Sequence, residues 1–340
     1  MTITDPEEFS YEGRLVFNGL HKTTVLDAEF DFEEVIQEDL LDYSEGDFES
    51  PGRGYSVIPF QRLAEDYHKI EQPLLDRCGE IRSFRYQEEE WEYREVENDG
   101  GTERLPTKSG LDMFDSYWAF PEFLFVKGDK SQAKLAENLL SERLGDYVRL
   151  NDITFDPDFL LWIFAKEKSG EKLPGDISVS MLTDAETKGD EKDRFGKRNQ
   201  VDDSTDITKS APILIGVLRQ KGLVALEGVF GVGQKLVRAR ISEEGRVHIK
   251  ADHAISGSFP IERMAISLAF LRSFMTLYDE WKGLEGEEKY PPIQFFEDIY
   301  EECKRQGLEI TFSIDDVVER YRQKGSPEEY SQYQAGLSEW

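Results

Sequence analysis

Five side chains that can carry positive charge lie close together in the second half of the sequence. They are Arg238, Arg240, Arg246, His248 and Lys250. Arg238 and Arg240 occupy alternate positions, and so do Arg246, His248 and Lys250. Alternate side chains share one face of a β-strand. The loop between the two runs, Ser242-Glu243-Glu244-Gly245, is typical of a β-hairpin. The pattern therefore predicts a hairpin with one basic face and one apolar face, the latter formed by Val237, Ala239, Ile241, Val247, Ile249 and Ala251.

The basic face predicts an anionic partner. Eight Lys or Arg residues stand against three Glu residues between Lys209 and Lys250. Like charges opposite each other on paired strands are destabilising, so these cations must pair with acids of the same chain or bind an anion. Arginine suits phosphate, because its planar guanidinium donates two parallel hydrogen bonds. We expect a non-enzymatic protein that binds nucleic acid on this face. One alternative is that the cations pair with acids of the same chain. Another is a structural or assembly subunit whose hairpin binds an acidic partner surface.

A second constellation allows a metal-dependent nuclease. Asp184, Glu186 and Lys188 alternate just after a predicted strand, Ile177 to Leu182. Two carboxylates on one strand face can hold a divalent cation that activates water, and a neighbouring lysine can help to position that water. The triplet opens a segment without apolar anchors, where catalytic groups would be poorly positioned. We keep the nuclease as the alternative function.

Other catalytic and cofactor motifs are missing from the sequence. It has no GxSxG, HExxH, Walker or Rossmann pattern, and Gly228, Gly231 and Gly233 do not lead into a predicted helix as a phosphate-binding loop would. His248 and His253 fall on opposite faces of a strand. Only Cys78 and Cys303 occur, without the spacing of a zinc site or a disulfide framework. We therefore expect neither a metal nor a cofactor.

Acidic residues dominate the composition. The 340 residues include 70 Asp or Glu against 41 Lys or Arg, which gives a formal charge of -29. Halophilic proteins use such an excess, and high salt screens the repulsion. We expect a cytoplasmic protein of a salt-accumulating organism. The N-terminus does not resemble a secretory signal, and the longest apolar stretch, around Met264 to Tyr278, is too short and too charged to span a membrane.

The order of the predicted elements indicates an α+β fold with an antiparallel sheet packed against helices, in two subdomains. We place the first at residues 1–110 and the second at residues 111–325, followed by a flexible tail at residues 326–340. The second subdomain contains a polar segment, Thr183 to Asp206, which we expect to be an exposed, mobile insertion.

Local signals predict several elements directly. Asn18-Gly19 predicts a turn between two strands, Tyr11 to Phe17 and Thr23 to Phe32. Asp129 or Ser131 predicts the start of a helix that Gly145 ends, and Asp156-Pro157 predicts the start of another.

Overall fold

Two units, each an antiparallel sheet with helices, divide the chain. The structure is a computed structural model, and it describes residues 14–26, 35–67, 70–98, 101–189, 196–250, 259–308, 310 and 313–324. The first unit comprises Met1–Ile153 with Gly257–Ala269, and the second comprises Thr154–Ser256 with Phe270–Trp340. This architecture confirms the predicted α+β class. Residue 110, the predicted boundary, lies inside a strand of the first unit, and the predicted tail lies outside the described residues.

The sheet of the first unit has the strand order β2-β3-β4-β5-β1, with β6 paired to the second half of β1. Its strands are β1 (Arg14–Val25), β2 (Arg53–Val57), β3 (Ile81–Asn98), β4 (Gly101–Ala119), β5 (Phe123–Lys127) and β6 (Val148–Asp152). Its helices are α1 (Phe60–Asp66), α2 (Gln72–Cys78) and α3 (Lys130–Leu144), with a π-helical turn at Ile36–Leu40.

Helix α3 covers the sheet of the first unit with an apolar stripe. Its start is the predicted one: the Asp129 carboxylate accepts from the Gln132 backbone N–H at 2.8 Å, and the Gln132 side chain accepts from the Asp129 N–H at 2.9 Å. This reciprocal capping satisfies two N–H groups that the first helical turn leaves unpaired. The stripe, which consists of Ala133, Ala136, Leu140 and Leu144, packs in one core with Trp118, Leu124 and Val126.

The turn predicted at Asn18-Gly19 is wrong. Both residues lie inside the continuous strand β1, at an irregularity in its pairing with β5. The Asn18 side chain donates to the Gly128 carbonyl at 2.8 Å. A Cβ on Gly19 would lie 2.9 Å from Val126 Cβ, so the glycine permits a close approach of two strands. Asn-Gly here serves sheet packing, and local sequence alone does not distinguish that use from a turn.

Strands β3 and β4 extend well beyond the rest of their sheet as a two-stranded ribbon, which we define as Glu90–Asn98 with Gly101–Asp112. Strand β2 pairs with β3 only up to Glu88, and β5 pairs with β4 only from Asp115, among the described residues. Beyond these points the two strands pair with each other, up to Asn98 opposite Gly101. At about 3.3 Å per residue, the ribbon is roughly 30 Å long.

The buried carboxylate of Glu89 fixes the root of the ribbon. It accepts from Lys108 Nζ at 2.7 Å, the Gly52 N–H at 3.0 Å, Tyr43 Oη at 3.2 Å, and the Trp91 indole N–H and Gly46 N–H, both at 3.3 Å. These bonds, led by that from Lys108, lower the pKa of Glu89 to about 2. They tie the loop before β2 to both strands of the ribbon.

The sheet of the second unit has the order β8-β7-β9-β10-β11. Its strands are β7 (Ile177–Lys188), β8 (Arg198–Val201), β9 (Gly222–Val232), β10 (Lys235–Ser242) and β11 (Arg246–Lys250). The helices are α4 (Pro157–Ser169), α5 (Ala211–Leu218), α6 (Pro260–Lys282, in this unit from Phe270), α7 (Gly286–Lys289), α8 (Ile293–Arg305) and α9 (Asp315–Lys324), with a 3-10 turn at Ile207–Lys209. No helix among the described residues is long and apolar enough to cross a membrane.

Helices cover one face of this second sheet. Helix α4 packs on β9 and β7, and the rings of Phe230 on β9 and Phe270 on α6 lie 5.4 Å apart. Phe159 of α4 packs against Phe274 and Tyr278 of α6. The opposite face of the sheet carries the charged side chains discussed below.

The polar segment from Thr183 to Asp206 is more ordered than its composition predicts. Residues 183–188 form the end of β7, where Thr183, Asp184, Glu186 and Thr187 are buried, and Arg198–Val201 forms β8, which pairs with it. Residues 190–195 lie outside the described part. Hydrogen bonds and ion pairs hold these polar side chains in the place of apolar contacts.

Candidate functional site

The predicted basic hairpin is present as β10 and β11. Gly245 ends its turn with a φ of 72°, which favours glycine. Val237, Ala239, Ile241, Val247 and Ile249 are buried on one face, while Ala251 lies outside the described residues. Arg238 lies opposite Lys250, Arg240 opposite His248, and Ser242 opposite Arg246. The five predicted side chains therefore share the other face.

Acids from the neighbouring strands reach part of this basic face. Glu227 on β9 is only 3% exposed, and its Oε1 lies 2.8 Å from Arg238 Nε and 3.9 Å from Lys250 Nζ. Asp184 of β7 lies 3.5 Å from the same arginine. Arg238 is thus a partly buried ion-pair partner of the buried Glu227, which is the internal pairing that the sequence left open as an alternative.

Arg240 is bound more loosely. Its Nη2 lies 3.5 Å from Glu186 and its Nη1 lies 3.8 Å from Asp202, both too far for a good hydrogen bond. Glu186 is held more closely by Arg198 of β8, at 2.5 Å. Within the described part of the chain, the guanidinium of Arg240 therefore retains donors without a partner at hydrogen-bond distance.

A cavity of about 290 Å³ lies beside Arg240 on this face. Three arginines, Arg198, Arg240 and Arg246, line it together with His248, and Glu186, Glu243 and Glu244 balance their charge. Arg246 forms an ion pair with Glu244, and burial lowers the pKa of Arg246. The buried Oγ of Ser242 also lines the cavity and has no hydrogen-bond partner among the described residues. The cavity thus combines cations, one unused hydroxyl and an opening to solvent.

The candidate nuclease residues lie together, but other side chains engage them. Asp184 accepts from the Asp203 N–H at 3.1 Å and from the Thr183 hydroxyl. Lys188 contacts Glu243 at 3.3 Å. Across the described ranges, no group of three His, Cys, Asp or Glu side chains has an arrangement that could hold a metal ion. Arginines lie beside both carboxylates, where the nuclease hypothesis would place a cation.

Both cysteines are buried, free thiols. Cys78 donates to the Ala265 carbonyl at 3.2 Å. Burial raises the pKa of Cys303 to about 11, which keeps it protonated at neutral pH. Because the thiolate is the reactive form, neither side chain resembles a catalytic nucleophile.

Sequence reasoning missed Arg198 and Ser242 as members of the cavity. Arg198 lies in the segment that its polarity marks as a loop, although Arg198, Gln200 and Asp202 alternate as a strand face would. The sequence pattern places Ser242 in the hairpin loop, whereas in the structure Ser242 ends β10. His21, for which the sequence offers no partner, lies 2.9 Å from Asp152 on β6.

Comparison with known proteins adds no assignment: the chain matches no protein-family model, and no curated protein matches it significantly in sequence.

Proposed function

We propose that this chain is a non-enzymatic protein that binds a phosphate-bearing anion in the cavity beside β10 and β11. The observation that carries the proposal is Arg240, a partly buried arginine that lines the cavity with unmatched donors. The Ser242 hydroxyl, which has no hydrogen-bond partner in the described part of the chain, supplies a further donor nearby. A phosphoryl group offers several strong acceptor oxygens, and charge-assisted hydrogen bonds from arginine to such oxygens are short and strong.

The two arginines of β10 have different roles in this proposal. Arg238 has a hydrogen-bonded carboxylate at 2.8 Å, so its charge is already compensated inside the sheet. Among the described residues, the carboxylates that Arg240 contacts lie at 3.5 Å and 3.8 Å, so an incoming oxyanion improves its hydrogen bonding. Arg246 contributes once the anion replaces its contact with Glu244, whose side chain is partly exposed.

The size of the cavity and the net charge of the chain favour one phosphoryl group of a small molecule over a long polyanion. Its volume of about 290 Å³ is close to the lower limit of roughly 300 Å³ for ligand pockets. The formal charge of -29 would repel an extended nucleic acid outside the cavity. Nucleic acid, the partner that the sequence predicts, remains the second source of the same chemistry.

Isothermal titration calorimetry with the full chain separates these sources. The probes are inorganic pyrophosphate, a nucleoside monophosphate and a single-stranded DNA oligonucleotide. Each lost charge-assisted hydrogen bond costs about 1.5–3 kcal/mol, so Arg240→Gln should weaken pyrophosphate binding at least about tenfold. Arg305→Gln is the matched control, since that arginine is 72% exposed on α8 and pairs with Glu302.

The result has three readings. Pyrophosphate binding that Arg240→Gln weakens and Arg305→Gln leaves unchanged supports the proposal. If only the oligonucleotide binds tightly, and Arg240→Gln weakens that binding, the partner is nucleic acid. Equal binding by wild type and Arg240→Gln, or no binding of any probe at millimolar concentration, contradicts the site.

The nuclease remains a separate prediction with its own test. It requires Mg²⁺- or Mn²⁺-dependent cleavage of DNA that Glu186→Gln abolishes. Because Arg198 and Arg240 both pair with Glu186, the proposal of an anion site expects no such cleavage.

A further inference from the structure

The ribbon, Glu90–Asn98 with Gly101–Asp112, is exposed to solvent on both of its faces. Every side chain from Glu92 to Glu97 and from Thr102 to Pro106 is exposed. Large apolar groups are among them, since Tyr93 is 52%, Val96 43% and Leu105 40% exposed. An isolated two-stranded hairpin is at best marginally stable in water. A ribbon of this length therefore gains stability when another surface covers it.

The loop before β2 covers part of one of these faces. On the first face, Phe48 of the loop before β2 packs on Tyr93 with ring centroids 4.6 Å apart, and Arg104 lies 5.8 Å from the same ring. The register places Val96 opposite Glu103 and Arg94 opposite Leu105, so these four side chains share the second face. We name it the Val96–Leu105 face.

This second face has the composition of a docking surface. Val96 and Leu105 are diagonal neighbours, and exposed charged side chains surround them, including Glu92, which pairs with Arg94 at 2.8 Å, and Glu103. Protein interfaces combine an apolar centre with a polar rim in this way. The ribbon as a whole carries six acidic against three basic side chains. We propose that the Val96–Leu105 face of the ribbon binds a partner protein whose surface presents lysine or arginine around an apolar centre.

Charge decides between this partner and a second copy of the chain. Two copies of this face together would bring more acidic than basic side chains into contact, since each face has Glu92 and Glu103 against Arg94, and like charges in such positions are destabilising. The formal charge of -29 on each chain adds a general repulsion between two copies. Addition of a strand at the ribbon edge is also disfavoured, because Pro106 removes a donor from β4 and glutamates line β3. A partner with a basic surface can bind the Val96–Leu105 face without this charge repulsion.

Fluorescence anisotropy with a defined peptide tests the proposal on the full chain. The probe is a synthetic helical peptide with leucine along one face flanked by lysine, and the control peptide has glutamate in place of lysine. Val96→Ser/Leu105→Ser removes the apolar centre, and Glu92→Gln/Glu103→Gln removes two negative charges from the same face. Each should weaken binding of the lysine peptide about tenfold, and the glutamate peptide should not bind. The thermal midpoint should hardly change, because substitutions of exposed side chains alter stability by only about 0.5 kcal/mol.

A matched variant separates the ribbon from the bulk charge. Glu142→Gln/Glu285→Gln removes the same number of negative charges from exposed positions elsewhere. The proposal expects this control to bind the lysine peptide as the wild type does. If the control weakens binding as much as the ribbon variant, the attraction is general electrostatics and the proposal is overturned.

A shortened ribbon provides the second check. Glu92 and Thr107 lie directly opposite each other, so Asn-Gly in place of residues 93–106 closes the hairpin with a two-residue turn and keeps the Glu89 contacts. This variant should fold and lose peptide binding. Sedimentation that shows a wild-type dimer, absent in the shortened variant, would assign the face to a second copy instead. Arg240→Gln should leave peptide binding unchanged, so this proposal and the anion site fail independently.

Discussion

The contrast between the two arginines of β10 gives a quantitative prediction. Arg238→Gln leaves Glu227, 3% exposed, without the guanidinium that lies 2.8 Å from it. Removal of one partner of a buried ion pair lowers the free energy of unfolding by about 3–5 kcal/mol. Because Lys250 lies 3.9 Å from Glu227 and compensates part of its charge, we expect a decrease of about 3 kcal/mol. Arg240→Gln breaks only contacts of 3.5 Å and 3.8 Å and should cost less than about 1 kcal/mol.

Urea unfolding followed by circular dichroism measures both values. For a unit of this size the expected loss for Arg238→Gln corresponds to a decrease of roughly 6–12 °C in the thermal midpoint. The double variant Arg238→Gln/Glu227→Gln should recover part of the loss, because it removes the uncompensated charge as well. Equal losses for the two single variants, or a coupling energy between positions 238 and 227 below about 0.5 kcal/mol, would refute the assignment of different roles.

Three further predictions concern the rest of the charge distribution. Asp115 is buried between Arg85 at 2.6 Å and Lys127 at 2.9 Å, so Asp115→Asn should lower the free energy of unfolding by about 3 kcal/mol. A decrease below about 1 kcal/mol in urea unfolding would contradict this. The pKa of Glu89 is lowered from 4.5 to about 2, so its stabilisation is present above pH 4.5 and lost as the pH falls toward 2. Proteolysis of the ribbon should therefore increase in acid, and Glu89→Gln should reduce that dependence. Lowering KCl from molar concentration to about 0.1 M should lower the unfolding midpoint if the acid excess is a halophilic adaptation, and a constant midpoint would remove that hypothesis.

Local patterns in the sequence predict the elements of the candidate site correctly. The alternation of Arg238 and Arg240 with apolar residues predicts the two faces of β10, and Asp129 predicts the start of α3. Both signals depend only on residues a few positions apart. The same locality explains the error at Asn18-Gly19, where the partner that decides the structure is Val126, more than a hundred residues away.

The cavity depends on strand order, which local patterns do not contain. Glu227 and Glu186 approach the arginines only because β9 lies next to β10 and β7 lies next to β9. The sequence alone shows the acidic and basic residues but does not show which of them lie on neighbouring strands. The ribbon was missed for a related reason: its residues have little apolar alternation, and we predict a domain boundary at residue 110, inside its second strand.

The charged layer over β7, β9, β10 and β11 also acts against incorrect strand pairing. Side chains alternate between the two faces of a strand, so a slip of one residue in β10 would bury Arg238 and Arg240 and expose Val237 and Ala239. The acids on β7 and β9 would then face no cation. The ion pairs therefore contribute to the accuracy of folding as well as to its free energy, and variants that neutralise both signs together should misfold more often even where their final stability is unchanged.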